Sequence, residues 1–227
     1  MRPRPANPLI VALDVSDLDR ADALAGALRG HVGMLKVGLE LFSAHGPAAV
    51  TRIAGHGAVF LDLKLHDIPT TVERAARNVG RLGVSMLTVH ALGGPDMVGA
   101  AVRGASQGAE EGGHAPPVIL AVTVLSSLSG EELASPASLA FEARAAGATG
   151  AVVSGDDVGV VREVTGEDFC LVVPGIRPAG SNGHDQVRIL TPEEAVEAGA
   201  DYLVLGRPIT GAADPVGAAR SILASVR

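Results

Sequence analysis

Eight short apolar runs rich in β-branched residues recur along the chain, beginning near Leu9, Met34, Ala58, Met86, Val118, Gly150, Phe169 and Asp201. Their mean spacing of about 27 residues leaves room for a strand, a short loop and a helix in every unit. The stretches between them are Ala-rich and helical in period: Asp19 to Leu28, Pro47 to Ala54, Thr70 to Leu82, Pro95 to Ser106, Pro136 to Ala146, Asp157 to Val164, Pro192 to Ala198 and Asp214 to Val226. Several carry Pro or Asp near the start and Gly just past the end, as at Gly30, Gly55, Gly83, Gly147 and Gly199, the usual asymmetry of helix termini. Eight βα units predict an α/β fold, a single (β/α)₈ (TIM) barrel spanning residues 1–227, with an open doubly wound sheet as the alternative. Two longer stretches interrupt the rhythm. Ser106 to Pro117 is Gly-rich and reads as a surface connection, and Pro178 to Thr191, after the seventh strand, reads as a closing lid or an ordinary flexible loop.

Composition removes several classes of function. Of 227 residues 47% are hydrophobic and 19% charged, which suits a packed core and excludes a disordered chain. Aromatic residues are only 2%, so stacking platforms for single-stranded nucleic acid are scarce, and the core is built from aliphatic side chains. A net charge of −7 provides no global field for nucleic acid or an anionic membrane, so no partner of either kind is expected. The single Cys170 allows no internal disulfide and no multi-cysteine metal site. Met1 to Asn7 leads into an apolar run too short for a signal peptide or a membrane span, and a cytoplasmic location is expected.

The anomaly lies in charges at the ends of strands. The first run ends in Asp14, the second contains Lys36, and the third reads Leu61-Asp62-Leu63-Lys64-Leu65-His66-Asp67. Side chains alternate faces along a strand, so Asp62 and Lys64 share one face while the three leucines take the other. The leucines belong against the helices, which turns Asp62 and Lys64 into the barrel near its upper rim. Sequential strands are neighbours, so Asp14 and Lys36 join them. Burying four charges is a poor route to stability, since apolar replacements are often neutral or better. The array is either a structural ion network or a proton-transfer site.

A second cluster suits a phosphate. Gly175-Ile176-Arg177-Pro178 and Gly206-Arg207-Pro208 close the seventh and eighth strands, where barrels commonly bind phosphate through backbone N–H groups and a cation. His90 reads as a hydrogen-bonded structural residue, and His66 could share the face of Lys64. Cys170 reads as a buried small hydrophobe and Glu110-Glu111 as a solvated surface pair.

Taken together, Val11-Ala12-Leu13-Asp14, Leu35-Lys36-Val37-Gly38, Asp62-Leu63-Lys64-Leu65-His66-Asp67-Ile68-Pro69-Thr70-Thr71, Val89-His90-Ala91, Pro174-Gly175-Ile176-Arg177-Pro178 and Gly206-Arg207-Pro208 resemble the orotidine 5′-phosphate decarboxylase family over essentially the whole chain. The resemblance implies conversion of orotidine 5′-phosphate to UMP and CO₂, without a cofactor or metal, in a homodimer. Lys36, Asp62, Lys64 and Asp67 would be the catalytic array, with Lys64 protonating C6 of the pyrimidine. Asp62 would lie against the departing carboxylate, and Lys36 would hold Asp62 and the ribose. Asp67, Ile68 and Thr71 would reach into the other subunit's site. Asp14 would bind the ribose, Gln186, Arg207 and the Gly206 backbone the phosphate, and Arg177 would sit at the base of the closing loop. Ser126 stands where the family usually has Thr; it keeps the hydroxyl expected to meet the pyrimidine.

Two other readings stay open. One is a related barrel enzyme, a hexulose-phosphate synthase or keto-gulonate-phosphate decarboxylase, that uses Mg²⁺ held by carboxylates. Such relatives typically have Glu where Lys36 stands. The other is a non-catalytic nucleotide-binding protein on the same fold.

Overall fold

The computed structural model describes residues 5–124, 135–177 and 190–226. Each apolar run forms a strand: β1 (Leu9–Ala12), β2 (Met34–Gly38), β3 (Val59–Leu65), β4 (Met86–His90), β5 (Val118–Val122), β6 (Gly150–Val152), β7 (Cys170–Val173) and β8 (Tyr202–Leu205). All eight pair in parallel and in sequence order, and β1 closes the ring on β8, so the barrel and not the open sheet is formed. Alternation along the strands separates two apolar layers. Leu9, Val11 and Leu13 point out to the helices, whereas Ile10, Met34, Phe60, Met86, Leu120, Cys170 and Val172 fill the barrel interior. Cys170 is thus fully buried as a small hydrophobe. On this side the interior plug ends at Phe60, which itself lines the cavity above, and the next inward positions on β2 and β3 are Lys36 and Asp62.

The helices are α1 (Leu18–Leu28), α2 (Leu39–His45), α3 (Pro47–Ala54), α4 (Pro69–Gly80), α5 (Gly94–Gly112), α6 (Pro136–Ala145), α7 (Val158–Thr165), α8 (Pro192–Glu197), α9 (Arg207–Thr210) and α10 (Pro215–Ser225). Asp17 and Asp214 cap α1 and α10 by accepting the Arg20 and Gly217 N–H groups, and Thr191 with Glu194 forms a capping box on α8. The short α2 and α9 have no counterpart in the periodic pattern. Among the described residues no helix is long and apolar enough to cross a membrane.

The Gly-rich stretch from Ser106 corrects the expectation of a surface connection, because α5 runs on to Gly112. Its glycines form a close-packing stripe against α4. A Cβ at Gly104 would stand 2.1 Å from the Glu73 carbonyl oxygen, and one at Gly108 would stand 1.9 Å from that of Arg77. Gly80 answers from α4, where a Cβ would stand 2.3 Å from the Ala105 oxygen. The two backbones therefore touch directly. Glu111 is likewise more than a solvated charge: it accepts from Arg81 Nε at 2.8 Å and from Arg77, both on the α4 side of the contact. At the opposite end of the barrel from the strand C-termini, Arg162 donates to the Gly166, Phe169 and Gly199 carbonyls and to Asp201 Oδ2, while Asp201 also accepts the Leu171 N–H. That clamp ties α7, β7 and β8 together with every charge answered.

Candidate active site

At the C-terminal ends of the strands lies a cavity of about 470 Å³ lined by Asp14, Lys36, Asp62, Lys64, Arg177 and Arg207 among others. The expected charge array is assembled there. Lys36 Nζ lies 3.0 Å from Asp14 Oδ1 and 3.5 Å from Asp62 Oδ2, and Lys64 Nζ lies 2.9 Å from Asp62 Oδ1. Signs therefore alternate along a chain of four groups. The inner pair is almost sealed, with Lys36 and Asp62 side chains 10% and 13% exposed, while Lys64 at 31% faces the cavity. Burial pushes the Asp62 carboxyl up. The charges of Lys36 and Lys64, with hydrogen bonds from Lys64 and Thr88, outweigh that and hold it below its ordinary value, so Asp62 is a carboxylate.

Local sequence explains the placement. Leu61, Leu63 and Leu65 pack toward the helix layer as their alternation requires, which leaves Asp62 and Lys64 on the cavity side. Gly38 leaves the necessary room beside them, since a Cβ there would stand 2.9 Å from Lys36 Nζ and 3.1 Å from Asp14 Oδ1. Neither Gly38 nor Thr88, whose hydroxyl donates to Asp62 Oδ1 at 2.9 Å, carries a local sequence signal of its role. Ser154, just beyond β6, also lines the cavity; its buried hydroxyl has no partner among the described residues, nor do Arg177 Nε and His90 Nδ1. A strand-end position was the available signal for Ser154.

The phosphate-type cluster also converges. Gly175, Ile176, Arg177, Gly206, Arg207, Pro208 and Thr210 all line the cavity. Gly175 has φ +80°, a conformation natural to glycine. Arg207 is exposed at the rim, and Arg177 is 7% exposed, with its N–H bonded to the Leu190 carbonyl at 3.0 Å. Arg177 thereby joins the two described segments that flank residues 178–189. Residues 178–189, which are most of the expected lid from Pro178 to Thr191 and include Gln186, lie outside the described residues, as does Ser126.

Asp67, Ile68 and Thr71 do not line this cavity. They are exposed around the start of α4, where Asp67 Oδ1 accepts the Ile68 N–H at 2.6 Å and Ile68 is 67% exposed. His66 stacks on His90 with ring centroids 5.3 Å apart and is absent from the cavity wall. Burial lowers the His90 pKa, and the neighbouring His66 and Lys64 lower it further, which favours the neutral ring.

Comparison with known proteins agrees with this geometry. Residues 7–222 match the family model described as "Orotidine 5'-phosphate decarboxylase / HUMPS family". The chain is 49% identical to the orotidine 5′-phosphate decarboxylase of Moorella thermoacetica over 96% of its own length and 91% of the relative's. It is 50% identical to that of Paramagnetospirillum magneticum, over 97% of this chain and 98% of the other. Among solved structures, orotidine 5′-phosphate decarboxylase from Lactobacillus acidophilus superposes with a TM-score of 0.83 at 36% identity, covering 97% of this chain and 99% of that one. The alternating carboxylates and ammonium groups at the mouth of an eight-stranded barrel, together with these matches, establish that the chain belongs to the orotidine 5′-phosphate decarboxylase / HUMPS family.

Proposed function

We propose that this chain decarboxylates orotidine 5′-phosphate to UMP and CO₂ as a cytoplasmic homodimer, without a cofactor. The observation that carries the reading is the Asp14–Lys36–Asp62–Lys64 array, in which a partly exposed ammonium stands 2.9 Å from a buried carboxylate at the cavity floor. Loss of CO₂ breaks the bond from C6 to the carboxylate and leaves its electron pair on C6. A fixed cation in a water-poor site stabilises that charge, and Lys64 Nζ then supplies the proton that completes the C6–H bond. Solvent reprotonates the amine. Asp62 lies against the departing carboxylate, Lys36 holds Asp62 and the ribose, and Asp14 binds the ribose. Arg207 and the Gly206 backbone hold the phosphate with Gln186, Arg177 anchors the closing segment, and Ser126 meets the pyrimidine.

The Mg²⁺-dependent alternative is disfavoured by Lys36. Its ammonium lies between Asp14 and Asp62 and takes up the space and lone pairs that a dication would need. UMP formation from orotidine 5′-phosphate, followed by near-ultraviolet absorbance, should continue undiminished in excess EDTA. No turnover by the folded protein, or turnover only with added Mg²⁺, would overturn the proposal.

Sharing of the site between subunits accounts for the position of Asp67, Ile68 and Thr71, exposed and away from their own chain's cavity. Lys64→Ala and Asp67→Ala should each be inactive alone. Mixed and reassorted in equal amounts, they should recover about a quarter of the parent activity, because half the dimers would then contain one intact site out of two. Hybrid dimers with no recovered activity would show that Asp67 serves its own chain.

A further inference from the structure

Strand β3 does not keep step with β4. Leu61 pairs with Leu87 and Leu65 with Val89, so four residue steps on β3 span two on β4. The surplus falls at Asp62, Leu63 and Lys64, and Lys64 has φ 49°, the one positive φ among the described non-glycine residues. A left-handed backbone at an L residue is unfavourable and persists only where its surroundings hold it.

One side chain does the holding. Thr88 on β4 is fully buried. Its hydroxyl accepts the Lys64 backbone N–H at 2.8 Å and donates to Asp62 Oδ1 at 2.9 Å, and the same carboxylate oxygen accepts from Lys64 Nζ at 2.9 Å. A single hydroxyl therefore connects the backbone of one charged residue to the side chain of the other. A valine of the same shape would fill the space and satisfy neither group.

The geometry points to Thr88 as a positioning residue: its hydroxyl locks the Lys64 backbone and the Asp62 carboxylate into one fixed relation, which sets where the Lys64 ammonium stands over the reacting carbon. The inference rests on the decarboxylase reading above. Thr88 is absent from the cavity wall, so it acts through its two partners rather than on substrate. The hydrogen bond it gives Asp62 also helps keep that group ionised.

The test compares Thr88→Val with Thr88→Ser in the full-length protein. Thr88→Val should lose about 10²-fold in kcat, the cost of misplacing a reacting group by about 1 Å. Its KM and its affinity for UMP should stay within about threefold of the parent, and Thr88→Ser should retain kcat within about threefold. Should Thr88→Val fail to fold, Thr88→Ala against Thr88→Ser gives the same comparison. The inference is overturned if the hydroxyl-free variant keeps the parent kcat, if the serine variant falls as far as the valine one, or if UMP affinity drops in parallel with kcat. A parent protein with no turnover would instead overturn the decarboxylase reading itself, so the two failures are distinguishable.

Discussion

On the proposed reaction, Lys64→Ala is expected to lower kcat by roughly 10⁴-fold or more, since it would remove the general acid and the nearest fixed cation at once. The substitution should leave the barrel standing, because Asp62 keeps Lys36 at 3.5 Å and the Thr88 hydroxyl at 2.9 Å. UMP should still bind, through the rim cluster around Arg207 that the change does not touch. Lys64→Arg separates the two roles: guanidinium retains the charge but holds its proton too tightly to release it. If both variants are comparably inactive in single-turnover measurements while binding UMP, delivery of the proton is the indispensable part. Turnover of Lys64→Ala within tenfold of the parent would remove Lys64 from the proton path.

The largest effect on stability should come from Gly108→Ala. Alanine in a helix interior ordinarily gains about 1 kcal/mol over glycine. Here the new methyl would lie 1.9 Å from the Arg77 carbonyl oxygen, and backbone cannot swing aside as a flexible side chain can. Parting α4 from α5 should cost about 3 kcal/mol, typical of a strongly overpacked site, or a fall of roughly 6–12 °C in Tm at this chain length. Gly159→Ala on α7 is the matched control, because a Cβ there meets nothing within 4 Å. It should be neutral or stabilising by up to about 1 kcal/mol. Equal Tm shifts in the two variants would mean that the α4–α5 contact relaxes freely.

The same glycines show where sequence reading reaches its limit. Periodicity located the eight strands to within a residue at their starts, because an inward-outward pattern of Val, Leu and Ile is written locally. Gly104, Gly108 and Gly112 carry low helix propensity, so Ser106 to Pro117 reads as a connection until α4 is in place to show what the missing side chains admit. The site divides similarly. Asp62 and Lys64 declare a common face by their spacing, and Asp14 and Lys36 follow from strand order. Thr88, 24 residues from Lys64, and the left-handed turn it supports depend on a register shift between strands, which no local pattern encodes. Gly38 is one residue of a short motif in the sequence, and its role emerges once Lys36 Nζ occupies the space beside it.

The clamp of Arg162 and Asp201 has a consequence for how such a barrel can change. The two ends of the barrel are built differently: the lower end carries saturated polar bonds that fasten β7 to β8, and the upper end carries the cavity with its charged array. A swap at the upper pole, such as an acidic residue for Lys36, alters which chemistry the cavity can perform without unfastening β7 from β8. Modularity of that kind offers a physical account of how decarboxylases and synthases could come to share one family of barrels.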